Sequence, residues 1–197
     1  DCRSVLEIVN PLNDSIRPDR LYKEKADAVF VMMNPGSSYP IDTPIEDIRY
    51  GIHDFLKPKN LVLTRPDNTQ YQVMRIAMEK NWRHVRVLNL SDIRNPKSVD
   101  FIKQLNDLSK ANTHSIFSTC RDKECKLALN RKNDSIILGW GQLPQLINLS
   151  KQCMKRIQKE SVVMVESDIN KFLNLHPSPM LQSKKEDWLE QILSKLN

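Results

Sequence analysis

The chain predicts an α/β fold, a three-layer α/β/α domain around a central four-stranded parallel sheet, on three observations. Four short apolar, β-rich runs occur at residues 28–33, 85–90, 135–138 and 161–165. Amphipathic helical patterns fall between and after them, and strands alternating with helices read as a parallel sheet covered on both faces. Each run is followed by a polar, Gly- or Pro-containing segment, and in such sheets chemistry gathers at the carboxyl ends of the strands.

The first run, "AVFVMM", stops abruptly at Asn34-Pro35-Gly36. A helix is expected over 71–80, where "YQVMRIAMEK" carries apolar residues at 73, 74, 76, 77 and 78. The second run leads into "NLSDIRNP" and a helical pattern over 99–108. The third leads into "GWGQLP" and a pattern over 143–157; the fourth is followed by "NLHPSPM" and a closing amphipathic pattern over 187–196. Only 4 glycines are present, so the turns rely on 11 prolines and on Asn and Asp.

With 197 residues the chain suits a single domain, 1–197, with a sizeable core. No apolar run approaches the roughly 18 residues of a membrane helix. The start has no basic-then-apolar signal, so the expectation is a cytoplasmic (intracellular) protein without a membrane partner. A net charge of +6 favours an anionic partner, nucleic acid first. Candidate basic contacts are the KPK at 57–59, Arg65, Arg121, Lys123, Arg131, Lys132, Lys184 and Lys185. Acidic residues are mixed among them, so a solvated charged surface explains them equally well. Cys2, Cys120, Cys125 and Cys153 do not suggest a disulfide framework. The Cys120–Cys125 spacing has no second close pair, so reduced thiols and no metal or cofactor are expected.

Two segments carry a resemblance. "MMNPG" at 32–36 and "HPSPM" at 176–180 resemble the defining motifs of the uracil-DNA glycosylase superfamily, which follow its first and last strands. "VRVLNLSD" at 85–92 is similar to its second strand, whose asparagine reads the base. The likeness runs in family order from residue 28 to about 181. Met32 departs from it, because the family usually has a small residue there. The wider "NP…NL…R…WG…HP" skeleton also resembles an uncharacterised bacterial family.

The resemblance implies a uracil-DNA glycosylase-like fold and hydrolysis of the bond joining a base to its sugar. That reaction needs a positioned water at an oxocarbenium-like sugar and a donor to the departing base. Asn34 would hold the water through its side-chain carbonyl, and His176 would donate to the base. Gly36 stands where the strictly uracil-specific branch has a tyrosine, so a substituent on C5 of the pyrimidine is expected to fit. Asn89 carries one acceptor and two donors, enough to read a pyrimidine edge. Asp92 would bond the base or Arg94. Tyr39 and Trp140 are candidates to stack on an extruded base, with Gly141 beside the cleft. Pro177 and Ser178 would grip phosphates. Met180 and Leu181 fit either an apolar wedge in the gap left by a flipped base or ordinary core packing.

The expected function is a monofunctional DNA glycosylase acting on DNA with a damaged or modified pyrimidine, as a monomer. Its role would be base-excision repair or defence against phage DNA with hypermodified cytosines. No lysine stands in either motif to form a Schiff base, which argues against lyase action. Two other readings stand beside it: a non-catalytic binder of modified nucleic acid, and a hydrolase of free nucleosides.

Overall fold

The most apolar runs form the innermost strands. In a computed structural model of the chain, residues 2–10, 18–21, 23–41, 61–107, 112–133, 135–157 and 162–196 are described. Strands β1 (Leu6–Val9), β2 (Ala28–Met32), β5 (His84–Asn89), β6 (Ile136–Gly139) and β7 (Val162–Met164) build the main sheet. A short antiparallel pair, β3 (Tyr39–Pro40) and β4 (Thr64–Arg65), stands apart. The helices are α1 (Pro18–Leu21), α2 (Asn68–Glu79), α3 (Ser98–Asp107), α4 (Asp122–Ala128), α5 (Ile147–Met154) and α6 (Gln182–Lys195).

The four expected strands pair in parallel, in the order β5-β2-β6-β7. The sheet is nevertheless five-stranded and mixed, because β1 adds antiparallel to the outer edge of β5. The reason lies in β5. Arg86 is 0% exposed in the middle of that strand, and a buried guanidinium requires a counter-charge. Glu7 on β1 supplies it, accepting from Arg86 Nε at 2.7 Å and lying 2.7 Å from His84 Nε2. Four backbone carbonyls, from Leu21, Glu24, Leu127 and Ala128, accept the remaining Arg86 donors.

Alternation along the strands sends side chains to two cores. Ala28, Phe30, Val85, Val87 and Ile137 pack against Val73, Ile76 and Ala77 of α2 and Trp188 and Ile192 of α6. Val29, Val31, Leu88, Ile136 and Leu138 pack on the other face, against Phe101 of α3, Cys125 and Ala128 of α4, and Leu149 and Cys153 of α5. The result is an α/β fold with helices flanking the sheet on both faces. Among the described residues, no helix is long and apolar enough to cross a membrane.

Helix α2 shows why its ends fall where they do. Asp67 caps its start, accepting from Gln70 N at 3.0 Å. At its end Asn81 takes a left-handed φ of 53°, with Trp82 N donating to Ala77 O and Asn81 N to Met78 O. That paired closure is a Schellman motif.

Candidate functional site

Parallel pairing sets Met32 opposite both Asn89 and Gly139, so β2, β5 and β6 end at one level. Beyond the sheet, Leu90 N donates to Met32 O and Ser91 N to Met33 O, which keeps the two inner chains together as they leave. The amino end of α2 rises beside these ends. Between helix and sheet lies a cleft of about 200 Å3, walled by Met32, Val73 and Val87. Asn34, Gly36, Asn89 and His176 all line it. These four come from three separate segments of the sequence.

Asn34 is oriented by its neighbours. Its Nδ2 donates to Asn95 O at 2.7 Å and to Ile93 O at 3.3 Å. Carbonyls only accept, so the amide cannot be turned over, and Oδ1 is the polar atom left for the cleft. Asn89 is only 1% exposed, and neither its Oδ1 nor its Nδ2 has a hydrogen-bond partner. Buried amides are almost always paired, which sets this one apart.

His176 is fixed in the same manner. Ser178 N donates to its Nδ1 at 3.1 Å, which requires an unprotonated Nδ1 and places the ring proton on Nε2. Burial pushes its pKa below the ordinary histidine range, so the ring is neutral and a donor at Nε2. The loop carrying it is locked from two sides. Gln72 Nε2 donates to Pro177 O and Lys185 O, each at 3.1 Å. Gly139 lies so close to Pro177 that an added Cβ would stand 2.8 Å from Pro177 Cδ. Asn174 Oδ1 accepts from Trp140 N and Gly141 N, tying the end of β6 to the same loop.

Gly36 has a backbone reason to be glycine. Its φ is +63°, and a Cβ there would stand 2.9 Å from Asp67 Oδ2. The space beside it is taken by the cap of α2, so this glycine serves a turn and a close approach.

The other predicted residues, Tyr39, Asp92, Trp140, Gly141, Pro177, Ser178, Met180 and Leu181, lie outside the cleft lining. Asp92 is buried, with Oδ2 2.5 Å from Arg121 Nη1 and accepting from Ser4 Oγ at 2.8 Å. Its charge partner is therefore Arg121, not Arg94. Trp140 is a core residue, its indole N–H donating to Phe172 O at 3.1 Å, so its ring faces no base. Tyr39 on β3 is half-exposed, with the Arg94 guanidinium 4.9 Å from its ring centre. Gly141 does lie near His176, 3.7 Å separating its would-be Cβ from His176 Cβ.

Met180 is 100% exposed and Leu181 60%, so neither is packed in the core. Among the basic candidates, Arg121 is buried between Asp92 and Glu124 and is no surface contact. Lys132 pairs with Asp27 at 3.0 Å, while Arg65, Lys123 and Lys184 are exposed. The KPK at 57–59 lies outside the described residues. Cys125 and Cys153 are buried free thiols, and Cys2 and Cys120 are exposed. Among the described residues, no group of three or more His, Cys, Asp or Glu side chains is placed to hold a metal ion.

Sequence reasoning missed Arg3 and Asp67, which also line the cleft. An Asp before a helical run is a readable cap signal, but nothing local places it opposite Gly36. Arg3 reaches the site only because the chain around β1 adds to the sheet edge.

A family model described as "Protein of unknown function (DUF1643)" matches residues 55–186, well over half of the chain. The chain belongs to that family. The DUF1643 span includes Asp67, Asn89 and His176, whereas Arg3 and the Asn34–Gly36 turn precede it. No curated protein and no solved structure matches the chain.

Proposed function

We infer that the protein is a monofunctional DNA glycosylase of uracil-DNA glycosylase-like fold, excising a damaged or modified pyrimidine. The observation that carries this reading is the trio around the cleft: an oriented acceptor at Asn34, a buried unpartnered amide at Asn89, and a neutral Nε2–H donor at His176. Base hydrolysis asks for these three capacities. The cavity, about 200 Å3, is below the roughly 300–1,000 Å3 usual for drug-sized ligands and suits a single heterocycle.

In the reaction, the extruded base enters and its edge pairs with Asn89. Asn34 Oδ1 accepts from a water and holds it at the sugar. As the bond from C1′ to the base nitrogen breaks, its electron pair leaves with the base. His176 Nε2–H stabilises the developing negative charge on the base oxygen. The water oxygen bonds to C1′ and releases a proton to solvent, giving an abasic site. No general base is needed, because a near-cationic sugar is attacked by a weak nucleophile.

Single-turnover assays on duplexes bearing uracil, 5-hydroxymethyluracil and a bulky 5-substituted cytosine test this, with released bases identified by mass spectrometry. Asn34→Ala and His176→Ala should each lose on the order of 10²–10³ in rate, the usual cost of one transition-state donor or positioning group. The His176→Ala loss should shrink for bases that leave easily, and the Asn34→Ala loss should not. Wild-type rates in both variants would sink the mechanism. Tight binding of one modified duplex with no base release would favour the non-catalytic reading. The base released would also separate repair from defence against phage DNA.

A further inference from the structure

Arg3 sits at the cleft in an unusual state. Its backbone N–H donates to Asp92 O at 2.8 Å, laying the residue beside the carboxyl end of β5. The residue lines the cleft, and its buried Nε and Nη1 have no hydrogen-bond partner. Asp67 attracts it without closing an ion pair; Asp67 Oδ1 is engaged by Gln70 N, and Oδ2 lies toward Gly36. Arg94 repels it. Burial beside that second cation lowers Arg3 to about 10, which still leaves it charged at neutral pH.

The two arginines of the core are treated differently. Arg86 has Glu7 and four backbone carbonyls. Arg121 has Asp92, Glu124, Ser4 and the Thr113 carbonyl. A buried charged donor left unpaired is costlier than a neutral one, so the Arg3 guanidinium calls for a partner from outside. Asn89, buried and unpartnered, lines the same cavity. Gln70, whose buried Nε2 is likewise unpartnered, lines it too, and an unsatisfied amide beside an unsatisfied guanidinium describes a ligand with a heterocyclic edge and an acceptor group beside it.

We propose that Arg3 is the anion-recognition residue of the cleft, holding a compact oxyanion, phosphate or carboxylate, on the ligand that Asn89 reads. The planar fork of Nε and Nη donors matches either oxyanion bidentately, which a lysine does not. The inference takes only the heterocycle from the glycosylase reading; Arg3 needs an oxyanion whichever reaction follows. Within that reading the oxyanion is either a phosphate flanking the extruded nucleoside or an anionic substituent on the base.

Thermal unfolding of the full chain tests this, comparing wild type with Arg3→Gln and Arg3→Lys at constant ionic strength. Inorganic phosphate and acetate should each stabilise wild type saturably, relative to chloride, and leave Arg3→Gln unchanged. Paired ligands then locate the oxyanion: deoxyuridine against its 5′-monophosphate, and uracil against 5-carboxyuracil. Wild type should prefer the anionic member of one pair at least tenfold, and Arg3→Gln should lose that preference. Preference in the first pair assigns a backbone phosphate; preference in the second assigns a base substituent. Should Arg3→Gln fail to fold, Arg3→Lys, which keeps the charge without the fork, should lose most of the preference. A merely structural Arg3 would lower the melting temperature on substitution and leave the phosphate response in place. That result, or a wild type with neither anion response nor preference, overturns the proposal. An intact anion response with no base released from any DNA would sink the glycosylase reading and leave this one standing.

Discussion

A histidine whose Nδ1 accepts a backbone N–H cannot gain a second proton without breaking that bond, and burial adds to the cost. His176 meets both conditions, so the folded ring protonates only below its ordinary pKa of about 6.5. In the unfolded chain it protonates near 6.5, and between the two values the unfolded state binds more protons. The stability this ring contributes is therefore full above about pH 6.5 and is lost as the pH falls below it. Urea unfolding of wild type and His176→Gln from pH 8 to 5 should show their stability difference narrowing with acid. The limit is about 1.4 kcal/mol per pH unit. His114, lowered by burial, and Asp92, raised by burial to about 6, are common to both proteins and cancel. A difference constant with pH would mean that the ring is not held neutral. Gly36 yields a second prediction at this scale. Gly36→Ala places a side chain at φ +63° and drives its Cβ toward Asp67, so stability should fall by about 1–2 kcal/mol or more in urea unfolding.

Strands β2, β5, β6 and β7 were legible because each is an apolar run bounded by turn residues, a pattern that needs no knowledge of partners. β1 was not. "LEIV" is four residues long with a charge inside, and its reason for joining the sheet, Arg86, lies 79 positions from Glu7. The site divides on the same line. Asn34, Asn89 and His176 follow or end parallel strands, so topology alone brings them together. Arg3 and Asp67 arrive through pairings that only the folded chain shows. Trp140 misled for the opposite reason: a tryptophan between two glycines looks like a stacking platform, but β6 turns its ring into the core. The ion pair on β1 is testable at this scale. Glu7→Leu leaves Arg86 without its counter-charge and should cost about 3–5 kcal/mol, the usual penalty for breaking a buried pair. A loss under 1 kcal/mol in urea unfolding would mean that the four carbonyls around Arg86 suffice.

At the scale of the molecule, the question that the proposed function raises is whether the cleft is served with a base from a duplex or with a free nucleoside. The net charge of +6 does not decide it, since Arg121 and Lys132 are already paired within the fold. Met180 is more informative. It is wholly exposed, two residues after Ser178 in the loop that carries His176, and Leu181 follows it at the start of α6. Two large apolar side chains in water gain nothing for the isolated protein. Against a duplex they would fill the gap left by an extruded base and hold it out of the stack. Met180→Ala/Leu181→Ala should therefore lower single-turnover base release from duplex DNA at least tenfold. It should spare release from single strands, where no gap needs filling. Because the change removes no charge, the salt dependence of duplex binding should keep its slope, near −0.9 on log–log axes for each phosphate neutralised. Equal losses on single and double strands would assign the pair to the pocket instead. Duplex affinity indifferent to salt, together with release from nucleosides as fast as from DNA, would make the free-nucleoside hydrolase the better reading.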